Sequence, residues 1–325
     1  MRKELELWQF IAARLGRCEN AMLLVVAESS GSSPGRQGYK MAIGADGEMI
    51  GSIGGGVMEV NLVEESRRLL SGPPALAGGF REQVHRKDVA NSSGMICSGK
   101  QTVIFRRLSQ ADAATVDSVV GSLQTKEPSI LTISSSELIL SQDKNPPATA
   151  DSTDFSASET EFIYHEKLGP KNALYVVGGG HCALALCELM SKMDFYISLF
   201  DDRPDLNTIE KNEYADAIKI VDSYDRIGDH IPSGVNAFVV VMTLGYKTDD
   251  IVVRGLIDKE FKYFGVLGSK AKMSTMFRSL REDGIPDEKL NNIHTPIGLP
   301  INSRTPEEIA VSIAAEIISV KNGNS

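Results

Sequence analysis

A glycine-rich turn at residues 178–183, with the sequence Gly-Gly-Gly-His-Cys-Ala, carries the clearest chemical pattern in the chain. It follows a short apolar run and opens a helical one. In such a turn Gly178 permits a tight bend, Gly180 lets the backbone approach a pyrophosphate, and Ala183 lets the helix pack on the sheet. The N–H groups at the helix start then favour an anion. The pattern predicts a dinucleotide-type binding turn.

The residues around this turn extend the same prediction. We interpret His181 as a hydrogen-bond donor to a phosphate or to the backbone, because no second metal ligand lies near it in the sequence; a metal-binding or catalytic role is the alternative. The next apolar run ends at Asp201, about 20 residues further on, where an acid would hold a ribose hydroxyl. Arg203 is a candidate for charge-assisted hydrogen bonds. The alternative is a domain of the same fold whose binding site is vestigial or holds a different ligand.

Two further bends have the composition of anion-binding sites. The bend formed by Gly268, Ser269 and Lys270 ends an apolar run and begins a helix, so its backbone N–H groups, its hydroxyl and its ammonium group suit an anion. A simple helix cap with solvated lysines is the alternative there. The other bend consists of Gly54, Gly55 and Gly56.

Cys97 is a candidate soft ligand for a metal. It is flanked by Gly94 and Gly99, and a thiolate in such a flexible setting can approach a metal closely. A buried thiol at a strand edge is the alternative. The four cysteines of the chain show no spacing typical of a zinc site or a disulfide framework.

Length and composition limit the classes of function. A chain of 325 residues suits two domains, and its net charge of −9 disfavours a nucleic-acid partner or an anionic membrane. The N-terminus lacks the apolar core of a signal peptide, and no apolar run approaches the ~20 residues that cross a bilayer. We therefore expect a cytoplasmic protein, and a homo-oligomer.

Residues 1–142 are predicted to form a smaller mixed α+β domain. Apolar spacing over Leu5–Leu15 predicts a helix, Met22–Ala27 reads as a buried strand, and Asp46-Gly47 between two alternating runs predicts a hairpin. A second helix is predicted over Val57–Leu70. The apolar face that we expect it to bury consists of Val57, Val60, Val63 and Leu70.

Residues 143–170 are predicted to be a linker, because the composition changes over residues 142–161, which are nearly all small or polar apart from Phe155 and bury too little apolar surface to offset the entropy of ordering. Beyond them, residues 171–325 alternate short apolar runs with helical segments. Such alternation predicts an α/β domain, a Rossmann-like doubly wound parallel sheet covered on both faces. Near the end, Thr305, Pro306 and Glu308 have the pattern of a capping box, whereas His294 and Arg304 have no structural explanation from the sequence.

Taken together, several motifs resemble those of the XdhC/CoxI family, accessory proteins for xanthine dehydrogenase and related molybdenum hydroxylases. The resemblance extends over nearly the whole chain. It is carried by residues 31–41, 51–59, 94–99, 175–205, 265–272 and 294–317.

This resemblance implies a factor that binds the molybdenum cofactor, protects it, supports its sulfuration and inserts it into an apo-hydroxylase. The implied partners are a molybdenum hydroxylase such as xanthine dehydrogenase, and a sulfurtransferase. The chain would then not itself be the oxidoreductase. NAD or another nucleotide is a further expected ligand of the Rossmann-like domain.

The sequence departs from the family pattern at three places. Many members have Gly-Gly-Cys where this chain has Gly55-Gly56-Val57, and Cys-Gly-Gly where it has Cys97-Ser98-Gly99. Many also have Thr-His-x-His where this chain has Thr243-Leu244-Gly245-Tyr246. A metal site at the last position is therefore not expected, and Cys97 is the remaining thiol candidate for contact with molybdenum.

The sequence leaves two competing functions open. One is a nicotinamide-dependent dehydrogenase, which the glycine turn and Asp201 favour, although no obvious acid/base pair for hydride transfer accompanies them. The other is a nucleotide-sensing module without cargo. A Rossmann-type fold alone does not choose among these functions.

Overall fold

The chain folds into two compact units, Met1–Gly169 and Pro170–Ser325. A computed structural model describes residues 2–72, 78–85, 99–141, 153–158, 161–193 and 195–323. Sheets in the first unit are antiparallel, and the sheet of the second is parallel. The chain is thus a mixed α/β protein whose C-terminal part has the predicted parallel sheet.

The described part of the first unit contains three helices and two antiparallel sheets. The five-stranded sheet has the order β3-β2-β1-β5-β4, and the four-stranded sheet has the order β7-β6-β9-β8. A short 3₁₀ helix, Gln110–Asp112, precedes α3. The elements are α1 (Arg2–Leu15), β1 (Ala21–Gly31), β2 (Lys40–Gly44), β3 (Met49–Gly51), α2 (Gly56–Ser71), β4 (Gly78–His85), β5 (Gly99–Leu108), α3 (Ala113–Thr125), β6 (Ser129–Ser134), β7 (Leu138–Ser141), β8 (Asp154–Ala157) and β9 (Phe162–Leu168).

Strand β1 is the centre of this unit because both of its faces are covered. Its first seven residues are all buried, as expected for a strand that packs on two sides. Leu23 and Val25 face a core that includes Trp8 of α1. Leu24 faces the other core, which includes Met58 of α2.

The predicted apolar face of α2 is wrong at Val57 and Val60 and right at Leu70, which is buried. Val57 and Val60 are more than half exposed, and Val63 is only partly buried. The buried residues of the helix recur every four positions instead of every three, so the face that meets the sheet is rotated from the one we predicted. These residues are Met58, Leu62, Ser66 and Leu70.

The predicted linker over 143–170 is also wrong over its described part. Strands β8 and β9 lie within it, and β9 pairs with β6 and belongs to the first unit. Inward-facing Phe162, Tyr164 and Leu168 are buried in the core. Glu166 also faces inward, and its charge is neutralised by Lys40 at 2.8 Å. The compositional change that suggested a linker ends at Glu161, before β9 begins, so the predicted linker extends too far along the chain.

The second unit is a parallel sheet with strand order β12-β11-β10-β13-β14-β15. Every strand pair in it is parallel. A 3₁₀ segment, Tyr224–Asp229, follows β12. The elements are β10 (Asn172–Val177), α4 (His181–Ser191), β11 (Phe195–Asp201), α5 (Asn207–Glu210), β12 (Ala217–Ile220), β13 (Gly234–Val241), α6 (Tyr246–Leu256), β14 (Phe261–Val266), α7 (Lys270–Glu282), α8 (Asp287–Asn291), β15 (Ile293–His294) and α9 (Pro306–Asn322).

Helices cover both faces of this sheet, as the alternating pattern predicted. One core joins the sheet to α4 and α9 through residues such as Leu186 and Ile313. The other joins it to α6 and α7 through residues such as Val252 and Met276. The chain winds one way from β10 to β12 and then returns to place β13 beside β10. Ligands of doubly wound sheets bind outside the strand ends at such a reversal.

None of the helices in the described residues combines the length and the apolar character needed to cross a bilayer.

Candidate functional site

The strand reversal between β10 and β13 forms the centre of the candidate site. Gly178 follows β10 with φ +107°, and a Cβ at this position would lie 2.3 Å from the carbonyl oxygen of Met242. The two strand ends therefore touch backbone to backbone, which only glycine allows. The predicted tight turn is present, and its first glycine brings the ends of β10 and β13 together.

Two helices begin at this reversal with no side chain over their first N–H groups. Gly180 is the N-cap of α4 and Gly245 is the N-cap of α6, and neither helix has a side-chain cap. A Cβ at either glycine would meet no protein atom within 4 Å, so packing within the protein does not require glycine at these positions. Both glycines have negative φ. Open space beside uncapped N–H groups suits a bound anion.

Gly245 is a site residue that the sequence analysis missed. The sequence showed it only as a departure from a histidine-containing motif. Its signal in the sequence was a glycine shortly after the end of β13, the strand that lies beside β10 in the structure. The sequence does not state which strands are neighbours, so this glycine could not be paired with Gly180 in advance.

Asp201 is at the predicted position but is not open to a ribose. Its side chain is fully buried, and it accepts hydrogen bonds from the Gly179 N–H at 2.5 Å and from Arg203 Nε at 2.8 Å. Burial alone would raise the pKa of Asp201, but the hydrogen bonds from Arg203 and Gly179 outweigh it and lower the pKa. In the structure, Asp201 braces the glycine turn.

The bend at residues 268–270 is a capped helix start. Ser269 is the N-cap of α7, and its hydroxyl accepts from the N–H of Lys272 at 3.3 Å. The ammonium group of Lys272 pairs with the buried carboxylate of Asp249, which also accepts from the N–H of Thr243 at 3.0 Å. Lys270 is exposed. The local alternative, a helix cap with a solvated lysine, describes Ser269 and Lys270 here.

The first turn of α4 has a mixed electrostatic environment. His181 is exposed, Cys182 is half-buried, and Ala183 is fully buried as predicted for close helix packing. Burial raises the pKa of the Cys182 thiol, and the negative charge of Glu307 raises it further. The thiol is therefore protonated near neutral pH. Glu307 introduces one acidic group beside a helix start that otherwise favours anions.

In the first unit, three of the sequence motifs meet around one buried side chain. The Gln101 amide oxygen accepts from the Ser33 hydroxyl at 2.7 Å and the Gly35 N–H at 3.2 Å, and its nitrogen donates to the carbonyl of Ile53 at 3.2 Å. Close contacts reinforce this arrangement, since a Cβ at Gly99 would lie 2.5 Å from the Ser33 nitrogen. Packing thus explains the glycines at positions 35, 54 and 99, where a Cβ would lie within 3 Å of another atom.

The predicted anion site at Gly54, Gly55 and Gly56 contains a carboxylate of the chain itself. Glu59 Oε2 accepts from the Gly55 N–H at 3.0 Å and from the Ile53 N–H at 2.9 Å. The donors predicted to hold a ligand therefore hold the first turn of α2. Cys97 lies outside the described residues.

Glu316 organises a polar cluster that gives His294 a structural context. The carboxylate of Glu316 accepts from the Tyr263 hydroxyl at 2.6 Å and from the Gly298 N–H at 2.8 Å, and it lies 3.5 Å from His294 Nδ1. Burial alone would raise the pKa of Glu316, but the hydrogen bonds from His294 and Tyr263 lower it. The predicted capping box at Thr305 and Glu308 is present. Nothing in the contacts explains Arg304.

The described residues contain no group of three or more histidine, cysteine or acidic side chains placed to hold a metal ion.

The strand order and the glycine turn define the second unit as a Rossmann-type domain, joined in one chain to an antiparallel α+β unit. Residues 174–317 match the family model of the XdhC Rossmann domain, and residues 15–77 match that of the XdhC and CoxI family. The chain belongs to the XdhC/CoxI family.

Two relatives are similar to this chain over most of its length. The chain is 25% identical over 306 residues to an uncharacterized protein, YqeB, of Escherichia coli, and the match covers 94% of this chain and only 44% of that protein. It is 23% identical over 318 residues to a protein of Bacillus subtilis named as a probable xanthine dehydrogenase component, with 93% and 94% covered. The chain therefore spans less than half of the first relative and nearly all of the second.

A solved structure has the same fold over almost the full length. It is a crystal structure described as a xanthine dehydrogenase from Bacillus halodurans, with a TM-score of 0.72 and 22% identity. The match covers 99% of this chain and 96% of that one.

Proposed function

We propose that this protein is an accessory factor for a molybdenum hydroxylase of the xanthine dehydrogenase type. It binds the molybdenum cofactor and supports its maturation and insertion into the apo-hydroxylase in the cytoplasm, together with a sulfurtransferase and as a homo-oligomer. Membership of the XdhC/CoxI family supports this proposal. The name of the Bacillus subtilis relative, which matches over nearly its full length, also supports it.

One structural observation carries the binding part of the proposal: the uncapped starts of α4 and α6 on either side of the strand reversal. The cargo is a pterin that bears a phosphate and is anionic at neutral pH. A chain of net charge −9 holds such a ligand only through local positive potential. The N–H groups at Gly180 and Gly245 supply that potential, and the open space beside both glycines admits the ligand.

Within this proposal the chain orients and shelters the cargo. Asp201 fixes the turn through Gly179, so the N–H groups stay aimed at the ligand. Exposed Lys247, in the first turn of α6, adds positive charge near Gly245. Cys97 remains a predicted thiolate contact to molybdenum, and Lys270 a predicted contact to the phosphate.

Co-expression with an apo-hydroxylase tests the function. We expect the wild-type chain to raise the molybdenum content and the activity per hydroxylase polypeptide, and Gly180→Val to abolish most of that gain because its side chain fills the open space. Gly121→Val is the matched control, since a Cβ at Gly121 also meets nothing within 4 Å. Equal activation by Gly180→Val and wild type would contradict the role of the crevice. No activation by the wild-type chain would contradict the accessory function.

The parallel strand order favours a second candidate, a nucleotide-binding module that senses or uses NAD or a related nucleotide. A glycine turn at the reversal of a doubly wound sheet is where dinucleotides bind. Calorimetric titration with adenine nucleotides tests binding, and a change in nicotinamide absorbance with the chain alone would identify an oxidoreductase. Binding without turnover supports the sensing module.

A further inference from the structure

The hydrogen bonds of Asp201 determine which group would contact a nucleotide at the end of β11. Both of its carboxylate oxygens already accept hydrogen bonds. Oδ1 accepts from the N–H of Arg203 at 2.9 Å and from its Nε at 2.8 Å, and Oδ2 accepts from Arg203 Nη2 at 2.7 Å and from the Gly179 N–H at 2.5 Å. With a side chain that is fully buried, Asp201 is not free to accept from a ribose diol.

Arg203 takes the exposed position instead. Its guanidinium grips Asp201 through Nε and Nη2, and a third of its side chain remains exposed. Because one oxygen of Asp201 holds both Arg203 and Gly179, the guanidinium lies beside the glycine turn. Three of its five N–H groups are outside this two-point contact, and a fixed guanidinium loses little freedom when it binds an anion.

We infer that Arg203 selects a nucleotide that carries a phosphate monoester on its ribose over one with a free diol. This inference rests on the proposed nucleotide site at the glycine turn. A diol needs an acceptor, and the carboxylate expected to provide it is covered. A phosphate needs donors, and Arg203 presents them where an arginine accommodates a 2′-phosphate in domains of this type.

The charges around Arg203 set the strength of this selection. Asp202 lies 3.8 Å from Arg203 Nε, and its side chain is about one third exposed, so it opposes a phosphate. The N–H of Asp202 donates to the Tyr224 hydroxyl at 3.2 Å. Burial raises the pKa of Tyr224, and the negative charge of Asp201 adds to this effect, so this hydroxyl carries no charge near neutral pH. Asp202→Asn should therefore strengthen binding of the phosphorylated nucleotide and leave the pair of Asp201 with Arg203 intact.

Calorimetric titration of the full chain with 2′,5′-ADP and with 5′-AMP, which lacks only the 2′-phosphate, tests the inference. We expect 2′,5′-ADP to bind more tightly by roughly tenfold or more, the effect of one or two hydrogen bonds to a charged group. Asp202→Asn should widen this ratio. Arg203→Ala should abolish it and should improve binding of 5′-AMP, because Asp201 becomes accessible. Arg226→Ala, which removes an exposed arginine paired with Asp229, is the control that should change neither affinity.

Each other outcome overturns the inference in a recognisable way. Equal or tighter binding of 5′-AMP by the wild type refutes the selection and leaves the nucleotide site in place. Failure of both ligands to bind refutes the nucleotide site as well, whereas the co-expression assay reports on the accessory function separately. If Arg203→Ala does not fold, an unchanged ratio in Asp202→Asn contradicts the inference without it.

Discussion

Gly178 and Gly180 stand two residues apart in one turn, yet they are glycine for different physical reasons. At Gly178 the backbone has φ +107° and leaves no room for a side chain against Met242. At Gly180 the backbone has φ −71°, and the space beside it is open. The first glycine is required by the fold, whereas packing within the protein does not require the second.

Substitution by alanine should separate these two roles. We expect Gly178→Ala to lower the free energy of unfolding by about 2–4 kcal/mol, because both the positive φ and the contact with Met242 oppose a Cβ. Gly180→Ala should cost under about 1 kcal/mol, the cost of a poorer N-cap, and should weaken ligand binding. Chemical denaturation and calorimetric titration check both. Equal stability losses would contradict the assignment of separate roles.

Asp201 illustrates what residue spacing can and cannot predict. The distance from the glycine turn to the end of the next strand located the acid correctly. Its hydrogen bonds depend on where the side chain of Arg203 turns after the strand, and that direction is set by packing that the sequence does not display. The position of the site was therefore predictable, whereas the identity of its exposed group was not.

At the scale of elements, one buried amide joins two loops of the first unit. Gln101 of β5 joins the loop after β1 to the loop before α2. It is fully buried, so every donor and acceptor that it satisfies would otherwise lack a partner. Buried polar groups of this kind stabilise a fold mainly through the cost of leaving them unpaired.

Replacement of Gln101 by leucine should therefore be costly. We expect Gln101→Leu to lower the free energy of unfolding by about 2–4 kcal/mol, because Ser33, Gly35 and Ile53 lose partners in a buried setting. Gln37→Leu removes an amide that donates to Ala27 and Thr153 at more exposed positions, and it should cost under about 1 kcal/mol. Urea unfolding followed by Trp8 fluorescence compares the two. A Gln101→Leu variant as stable as Gln37→Leu would show that the loops hold together without the amide.

Elements with strong apolar periodicity were predictable, and those that depend on a partner were not. The strands and helices of the second unit follow the sequence pattern closely, because both faces of the sheet are buried. Strand β9 escaped prediction because the predicted linker extends beyond Glu161, and Glu166 at a core position of the strand is acceptable only with its distant partner Lys40. The face of α2 escaped because Val57 and Val60, although apolar, point away from the sheet.

At the scale of the molecule, the net negative charge makes local arrangements of donors decisive. Two of the three predicted anion sites are already used by the chain, Gly54–Gly56 by Glu59 and the start of α7 by Ser269. At the third predicted site, the start of α4, open space lies beside uncapped N–H groups, and the neighbouring start of α6 has the same two properties. Binding of an anion by this chain is therefore expected to be local to that crevice and sensitive to salt.

The sole tryptophan, Trp8, lies in the core of the first unit, so its fluorescence reports on that unit when pH is varied. Burial would lower the pKa of Lys40, but the attraction of Glu166 and Glu4 outweighs it and raises the pKa. Burial also raises the pKa of Tyr164, and the charge of Glu166 adds to the effect. A group whose pKa is raised by folding stabilises the fold below its unfolded pKa and loses that contribution as pH rises further.

These two groups predict that the first unit loses stability under alkaline conditions. Since the unfolded pKa values are about 10 for tyrosine and about 10.4 for lysine, the urea midpoint read by Trp8 should begin to fall above about pH 10. Lys40→Met should cost about 3–5 kcal/mol at neutral pH, because it leaves Glu166 buried without its cation, and should weaken the alkaline decline. Lys100→Met breaks only the exposed pair with Glu82 and should leave both nearly unchanged. A midpoint that stays constant to about pH 11, or an equal decline in Lys40→Met and wild type, would show that the buried pair does not hold the two sheets of this unit together.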